Sequence, residues 1–164
     1  MILEMMFHWE KKEGLYHGHA VGVAMIMSAQ WYQRLRTLSH NDVDELLKKA
    51  IIPPRSEQIA EMKKNLPQIA EELIESDPIY LQLCDAEKFR YTCEQILKHW
   101  EEILAVAAAV PDPEAIRDWI KRLGGPVTPQ ELGVSEDEVK IAVDYSYYLR
   151  ERFSINILRK LFDW

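Results

Sequence analysis

The chain has 164 residues, of which 48% are hydrophobic and 29% charged, and its formal charge is −7. That length suits one domain, or a helical array of two lobes, with enough core to need no staples, and the composition is that of an ordinary soluble globular protein. No Lys/Arg run exceeds two residues, so neither a nucleic-acid backbone nor an anionic membrane surface is an expected partner.

The opening stretch, Met1–Lys12, is apolar except for Glu4, Glu10, Lys11 and Lys12. It has no basic leader and no small-residue cleavage site, so it reads as a helix rather than a signal peptide. Glu13-Gly14 supplies its stop. A second helix is expected from His17-Gly18 through Leu38. Its first two turns are nearly all small or apolar, which predicts burial on most sides. Ser39–Asp42 is a capping signal ahead of Val43, Leu46 and Leu47, and Pro53-Pro54 breaks the chain. Ile59, Met62, Leu66, Ile69 and Leu73 recur at three- and four-residue spacing, predicting a helix over Ser56–Glu75 with a kink or break at Pro67.

Asp85 opens a long helix on which Phe89, Cys93, Ile96, Trp100, Ile103, Leu104 and Ala107 share one face. Asp112-Pro113 pairs an N-cap with a proline at the first helical position, and Gly124-Gly125 ends that helix. Thr128-Pro129 and Gly133 repeat the start and stop signals. Ser135–Glu138 is a capping box, after which Val139, Val143, Tyr147 and Leu149 face inward. A short helix over Ile155–Phe162 closes the chain. No strand alternation occurs, so the fold class is all-α. The longest apolar stretches, Ala20–Met27 and Ile103–Val110, have eight residues each, far from the roughly 20 that span a bilayer. Cys84 and Cys93 lack metal or redox spacing and read as free thiols of a reducing compartment. The expected location is the cytoplasm.

The chemistry-bearing segment is Leu15-Tyr16-His17-Gly18-His19-Ala20-Val21-Gly22-Val23. A histidine at a helix mouth can turn its imidazole out into a cleft, where it is a good ligand for Zn²⁺, Fe²⁺ or Ni²⁺, and Gly18 permits close backbone approach to a neighbour or ligand. His19 points elsewhere, since residues two apart do not share a helical face. Spacing alone favours a satisfied histidine over a ligand. His8, one turn from Glu4, reads as exposed or capping; Arg150 and Arg152 match phosphate but pair as well with acids such as Glu151; His99 and Trp100 read as packing. Met25, Met27, Trp31 and Tyr32 read as core.

The Leu15–Val23 segment resembles the metal-site region of the dehydroquinate synthase and iron-type alcohol dehydrogenase superfamily. Leu123-Gly124-Gly125-Pro126-Val127-Thr128, the stretch from Glu131 to Val139 and that from Tyr148 to Ile155 are similar to the C-terminal part of sn-glycerol-1-phosphate dehydrogenases, and the similarity runs in order along the chain. The resemblance implies a single helical domain over residues 1–164, like the C-terminal metal-binding domain of those enzymes, without their N-terminal Rossmann-like NAD(P)-binding domain. Such enzymes interconvert dihydroxyacetone phosphate and sn-glycerol 1-phosphate, in phospholipid metabolism, with NAD(P) and a divalent metal (Zn, Ni or Fe) held by one carboxylate and two histidines.

On that resemblance His17 is the second histidine ligand. The first histidine belongs to an E-H-x-x-S-H-x-x-E segment whose end corresponds to Ile2-Leu3-Glu4-Met5, and the carboxylate lies further upstream still, so one ligand of three is expected here and no catalytic, nucleotide-binding or substrate-binding residue is assigned. No Gly-x-Gly-x-x-Gly turn occurs. The isolated chain is therefore expected to hold no cofactor tightly and to be inactive. The alternative is a non-catalytic helical interaction or oligomerisation module derived from such an enzyme. A metal-dependent hydrolase around His17 and His19 has no second ligand cluster to support it. Met1, Ile2, Met5, Met6 and Phe7 are expected to form an exposed apolar face that drives homo-oligomerisation or meets a missing nucleotide-binding half.

Overall fold

Local capping chemistry sets most element ends in the computed structural model, which describes residues 2, 4, 5, 15–149 and 152–164. Every α or 3-10 element among them is helical and no strand is present among them, as the all-α reading requires. Ile2, Glu4 and Met5 are helical; the rest of the expected Met1–Lys12 helix and its Glu13-Gly14 stop lie outside the described residues. The chain divides into two units, residues 1–37 with 104–143 and residues 38–103 with 144–164.

In the first unit α1 (His17–Leu35) packs on α8 (Pro113–Arg122). Ala20, Val23, Ile26 and Ala29 are its buried stripe. Ile26 and Ala29 meet Ile116 and Val127, with Val110 and Ile120 packed around them. The expectation that the early turns of this helix are buried on most sides does not hold. Val21 and Ala24 are exposed, and Met25 is 52% exposed, so Met25 is not core. One packed neighbour covers one stripe, and the apolar residues on the flank stay open. The close approach falls at Gly22 rather than Gly18. A Cβ on Gly22 would lie 3.3 Å from Ile120 Cδ1, whereas one on Gly18 meets nothing within 4 Å.

The α8 helix starts as its sequence dictates, with Asp112 accepting from the Glu114 N–H and Pro113 in its first turn. Beyond its end Gly124 takes φ +73°, and the Gly125 N–H donates to Ile120 O at 3.0 Å. This wrap-back satisfies a terminal carbonyl. A 3-10 turn over Gln130–Leu132 ends at Gly133, φ 72°. The capping box of α9 (Glu136–Asp144) is present: Ser135 Oγ accepts from the Glu138 N–H at 3.2 Å, and Glu138 Oε2 accepts from the Ser135 N–H at 2.7 Å. Arg36 fastens the end of α1, donating from Nε to Ala107 O at 2.8 Å and from Nη2 to Val110 O. Those carbonyls belong to the last turn of α7 (Trp100–Ala109) and the residue after it.

In the second unit Ser39 and Asp42 form a reciprocal capping box for α2 (His40–Lys49), whose Val43 and Leu47 are buried. α3 (Arg55–Asn65) and α4 (Ala70–Glu75) are the two parts of the Ser56–Glu75 prediction. Pro67 has no N–H to continue the ladder, so the kink is realised as a break. α5 (Ile79–Gln82) follows. The expected long helix from Asp85 is interrupted: α6 (Ala86–Lys98) ends at His99, φ −106°, ψ 20°, before α7 begins. The hydrogen bonds from His99 N–H to Gln95 O and from Ile103 N–H to His99 O, both 3.0 Å, bridge the interruption. It is therefore a change at one residue, which side-chain spacing does not register. A 3-10 turn over Ser146–Tyr148 and α10 (Ile155–Leu161) complete the unit. Tyr80, Tyr147 and Tyr148 pack ring on ring, and buried Trp100 meets Phe162 edge-on.

Candidate functional site

The mouth of α1 places His17 outside the packed stripe. Tyr16 occupies the N-cap position without a side-chain cap, so the first turn's N–H groups are left to other partners. His17 is 77% exposed and its Nδ1 lies 2.6 Å from Oε1 of Glu4, itself 23% exposed. A carboxylate only accepts, so Nδ1 carries the proton and donates to Glu4. In the neutral ring this leaves the lone pair on Nε2, the arrangement in which a carboxylate orients a histidine for ligation. Burial works against the Glu4 carboxylate, but hydrogen bonds to it, His17's among them, outweigh burial and hold it below the ordinary glutamate range.

His19 is exposed and turns to Tyr16, ring centroids 5.4 Å apart and edge-on. The two histidines thus have separate partners. The Glu4–His17 contact spans 13 positions and leaves no periodic trace, so sequence reasoning, which set Glu4 beside His8, missed it. His8 and Arg150 lie outside the described residues, and Arg152 is exposed. His99 is half-buried and donates to Glu102 at 3.0 Å, while Trp100 is fully buried.

One histidine and one carboxylate do not hold a divalent ion firmly; tetrahedral sites use three or four protein donors. Among the described residues no group of three His, Cys, Asp or Glu side chains is placed to hold a metal. These residues do not by themselves fit a divalent ion. Cys84 and Cys93 are free thiols, both pushed up by burial, so neither supplies a ready thiolate.

Beside the packed stripe of α1, an apolar groove of about 360 Å³ runs along Val21, Ala24 and Met25 and is walled by Val110, Pro111 and Trp119. Of the five residues expected to form an apolar face at the extreme N-terminus, Ile2 and Met5 are among the described residues. Ile2 is only 3% exposed and Met5 is half-buried, so the fold itself covers them. Met1, Met6 and Phe7 lie outside the described residues. Among the described residues, exposed large apolar side chains include Val21 and Met25 of α1 and Trp119 of α8, with Ile51, Tyr91 and Val106 exposed elsewhere. No helix among the described residues is long and apolar enough to cross a membrane.

The described residues thus define an all-helical protein with a carboxylate-oriented histidine at one helix mouth. Part of the chain is similar to glycerol-1-phosphate dehydrogenase (NAD(P)+) from two bacilli. The Bacillus licheniformis protein is 38% identical over 58 residues, 35% of this chain and 14% of that protein. The Bacillus subtilis protein is 36% identical over 52 residues, 32% of this chain and 13% of that protein. The chain thus spans about one seventh of the length of these curated relatives, and the resemblance read along all 164 residues is matched over about a third of them. No protein-family model matches the chain, and no solved structure matches it.

Proposed function

We propose that these residues are the metal- and substrate-side helical part of an NAD(P)-dependent sn-glycerol-1-phosphate dehydrogenase, which interconverts dihydroxyacetone phosphate and sn-glycerol 1-phosphate. The observation that carries this reading is the 38% identity over 58 residues to a named glycerol-1-phosphate dehydrogenase, joined by the all-helical architecture. In this reading His17 is one metal ligand and Glu4 fixes its ring, with Nδ1–H toward the carboxylate and the Nε2 lone pair left for the metal. The remaining ligands and the nucleotide-binding turn come from outside the described residues, and the 164 residues alone neither bind NAD(P)H tightly nor turn over.

The test is the coding DNA ahead of the Met1 codon, with an assay of the purified chain. In-frame nucleotide-binding sequence ending in an E-H-x-x-S-H-like run, and no dihydroxyacetone-phosphate-dependent oxidation of NAD(P)H by the chain alone, are expected. Turnover by the chain alone overturns its assignment as a partial enzyme, and unrelated upstream DNA favours a helical interaction module.

A further inference from the structure

Away from the N-terminal segment, the second unit holds a half-open cavity of about 190 Å³ whose walls include α3, α5, the second 3-10 turn and α10. Its aromatic wall is pre-built. Tyr80 packs at a tilt on Tyr147 with centroids 4.3 Å apart, and Tyr147 likewise on Tyr148 at 4.5 Å. Two phenols there are already engaged. Tyr148 donates to Gln58 Oε1 at 2.5 Å, and Tyr145 donates to Glu61 Oε2 at 3.2 Å while accepting from Asn65 at 2.6 Å.

Tyr80 differs. It lines the same cavity, is 1% exposed, and among the described residues its hydroxyl has no hydrogen-bond partner. A buried hydroxyl without a partner is costly, and beside a cavity a small shift of the wall would let a ligand supply the missing partner.

The charge of the wall says what that is. Among the described residues, Glu57, Glu61 and Asp144 line the cavity against the ammonium of Lys160, and the buried Arg159 guanidinium lies close enough to act on Tyr80. Asp144 is also met by Arg159 at 3.6 Å, but Glu57 faces solvent on the open side of α3. An anion entering here meets an excess of carboxylates, whereas a cation is attracted both by them and by the faces of tyrosine rings. Burial holds Tyr80, Tyr147 and Tyr148 above the ordinary phenol range and pushes Tyr145 up to about 12. The rings therefore remain neutral, and their hydroxyls remain donors, at physiological pH.

The geometry points to a binding site for a small organic cation, an amine or quaternary ammonium, whose charge lies between Glu57, Glu61 and the tyrosine wall and whose polar body bonds to the Tyr80 hydroxyl. The site is independent of the dehydrogenase reading and shares no residue with the α1 mouth.

Choline and ethanolamine titrated into the full chain, followed by tyrosine ring NMR shifts, test it. Saturable shifts at Tyr80, Tyr145 and Tyr148 are expected with at least one of the two. The neutral isostere 3,3-dimethylbutan-1-ol is expected to bind about tenfold weaker than choline, the scale of a partly desolvated cation–π contact. Glu57→Gln, a change at an exposed position, should weaken cation binding several-fold, roughly the strength of one partly screened charge pair. Tyr80→Phe should weaken it without lowering the melting temperature, because no protein partner is lost. Absence of saturable shifts with both cations overturns the proposal and leaves the Tyr80 hydroxyl to water. Equal binding of the neutral isostere, or unchanged binding by Glu57→Gln, overturns its cationic selectivity.

Discussion

Replacing Arg36 by alanine removes the fork that closes the end of α7. Its guanidinium donates to Ala107 O at 2.8 Å, which also accepts from the Val110 N–H at 3.2 Å, and to Val110 O, just past the helix end where carbonyls run out of intrahelical donors. A hydrogen bond from a charged donor contributes about 1.5–3 kcal/mol net. The bond to Ala107 is half-buried and that to Val110 exposed, so water replaces much of the second, and a total loss of about 2 kcal/mol is expected. For a chain of this size that corresponds to a fall of about 4–8 °C in melting temperature. Arg36→Lys keeps a cation near the negative end of the helix but loses the planar fork, so it should recover no more than half. Circular dichroism melts of the three proteins measure this, with amide hydrogen exchange at α7 and α1 to localise the effect. A melting point for Arg36→Ala within about 1 °C of the parent, or a lysine variant as stable as arginine, refutes the reasoning.

Gln58 is buried, accepts from Tyr148 and donates to Pro53 O at 2.9 Å and Cys84 Sγ at 3.0 Å. Gln58→Leu should destabilise by about 2 kcal/mol in urea titration, because it removes the acceptor of the buried Tyr148 hydroxyl and leaves Pro53 O with only the Cys84 thiol at 3.4 Å; an unchanged midpoint contradicts that network. Gly133 sits at φ 72°, so Gly133→Ala should cost about 1 kcal/mol, whereas Gly18→Ala, in helical backbone with open space around it, should gain roughly 0.5 kcal/mol. Chemical denaturation of both variants tests the contrast. Asp42 is held below the usual aspartate range by bonds from the Ser39 side chain and backbone, and Asp85 by the Lys88 backbone N–H against slight burial, helped by that of Glu87. A depressed folded-state pKa adds stability above the ordinary value near 3.8 that is lost as pH falls through the folded value. Helicity of α2 and α6, followed by NMR shifts, should therefore decline only below about pH 4; loss beginning near pH 6 contradicts the cap assignment.

The local part of this fold was legible because its physics is local. Ser39 with Asp42, Asp112 with Pro113, Ser135 with Glu138, and Gly133 each act within four residues, and each sits where its chemistry places it. What depends on distant partners left no such trace. Met25 has the composition of a core residue, yet its exposure is decided by how much of α1 its neighbours cover. Glu4 meets His17 across 13 positions, and the Tyr80–Tyr147–Tyr148 stack joins segments more than 60 residues apart. The break at His99 changes one residue's backbone while Ile96 and Trp100 keep their helical spacing. The histidine of the candidate site was therefore visible in the sequence, and the carboxylate that orients it was not.

The most direct test of the proposed dehydrogenase function is a chimera in which the 52 residues similar to the Bacillus subtilis relative, extended to include His17, replace their counterpart in that protein. Its rate of NAD(P)H oxidation with dihydroxyacetone phosphate is then measured before and after His17→Ala. The assignment predicts turnover by the chimera and its loss in the His17→Ala form. A folded chimera that binds NAD(P)H but does not turn over, or one indifferent to His17, contradicts it.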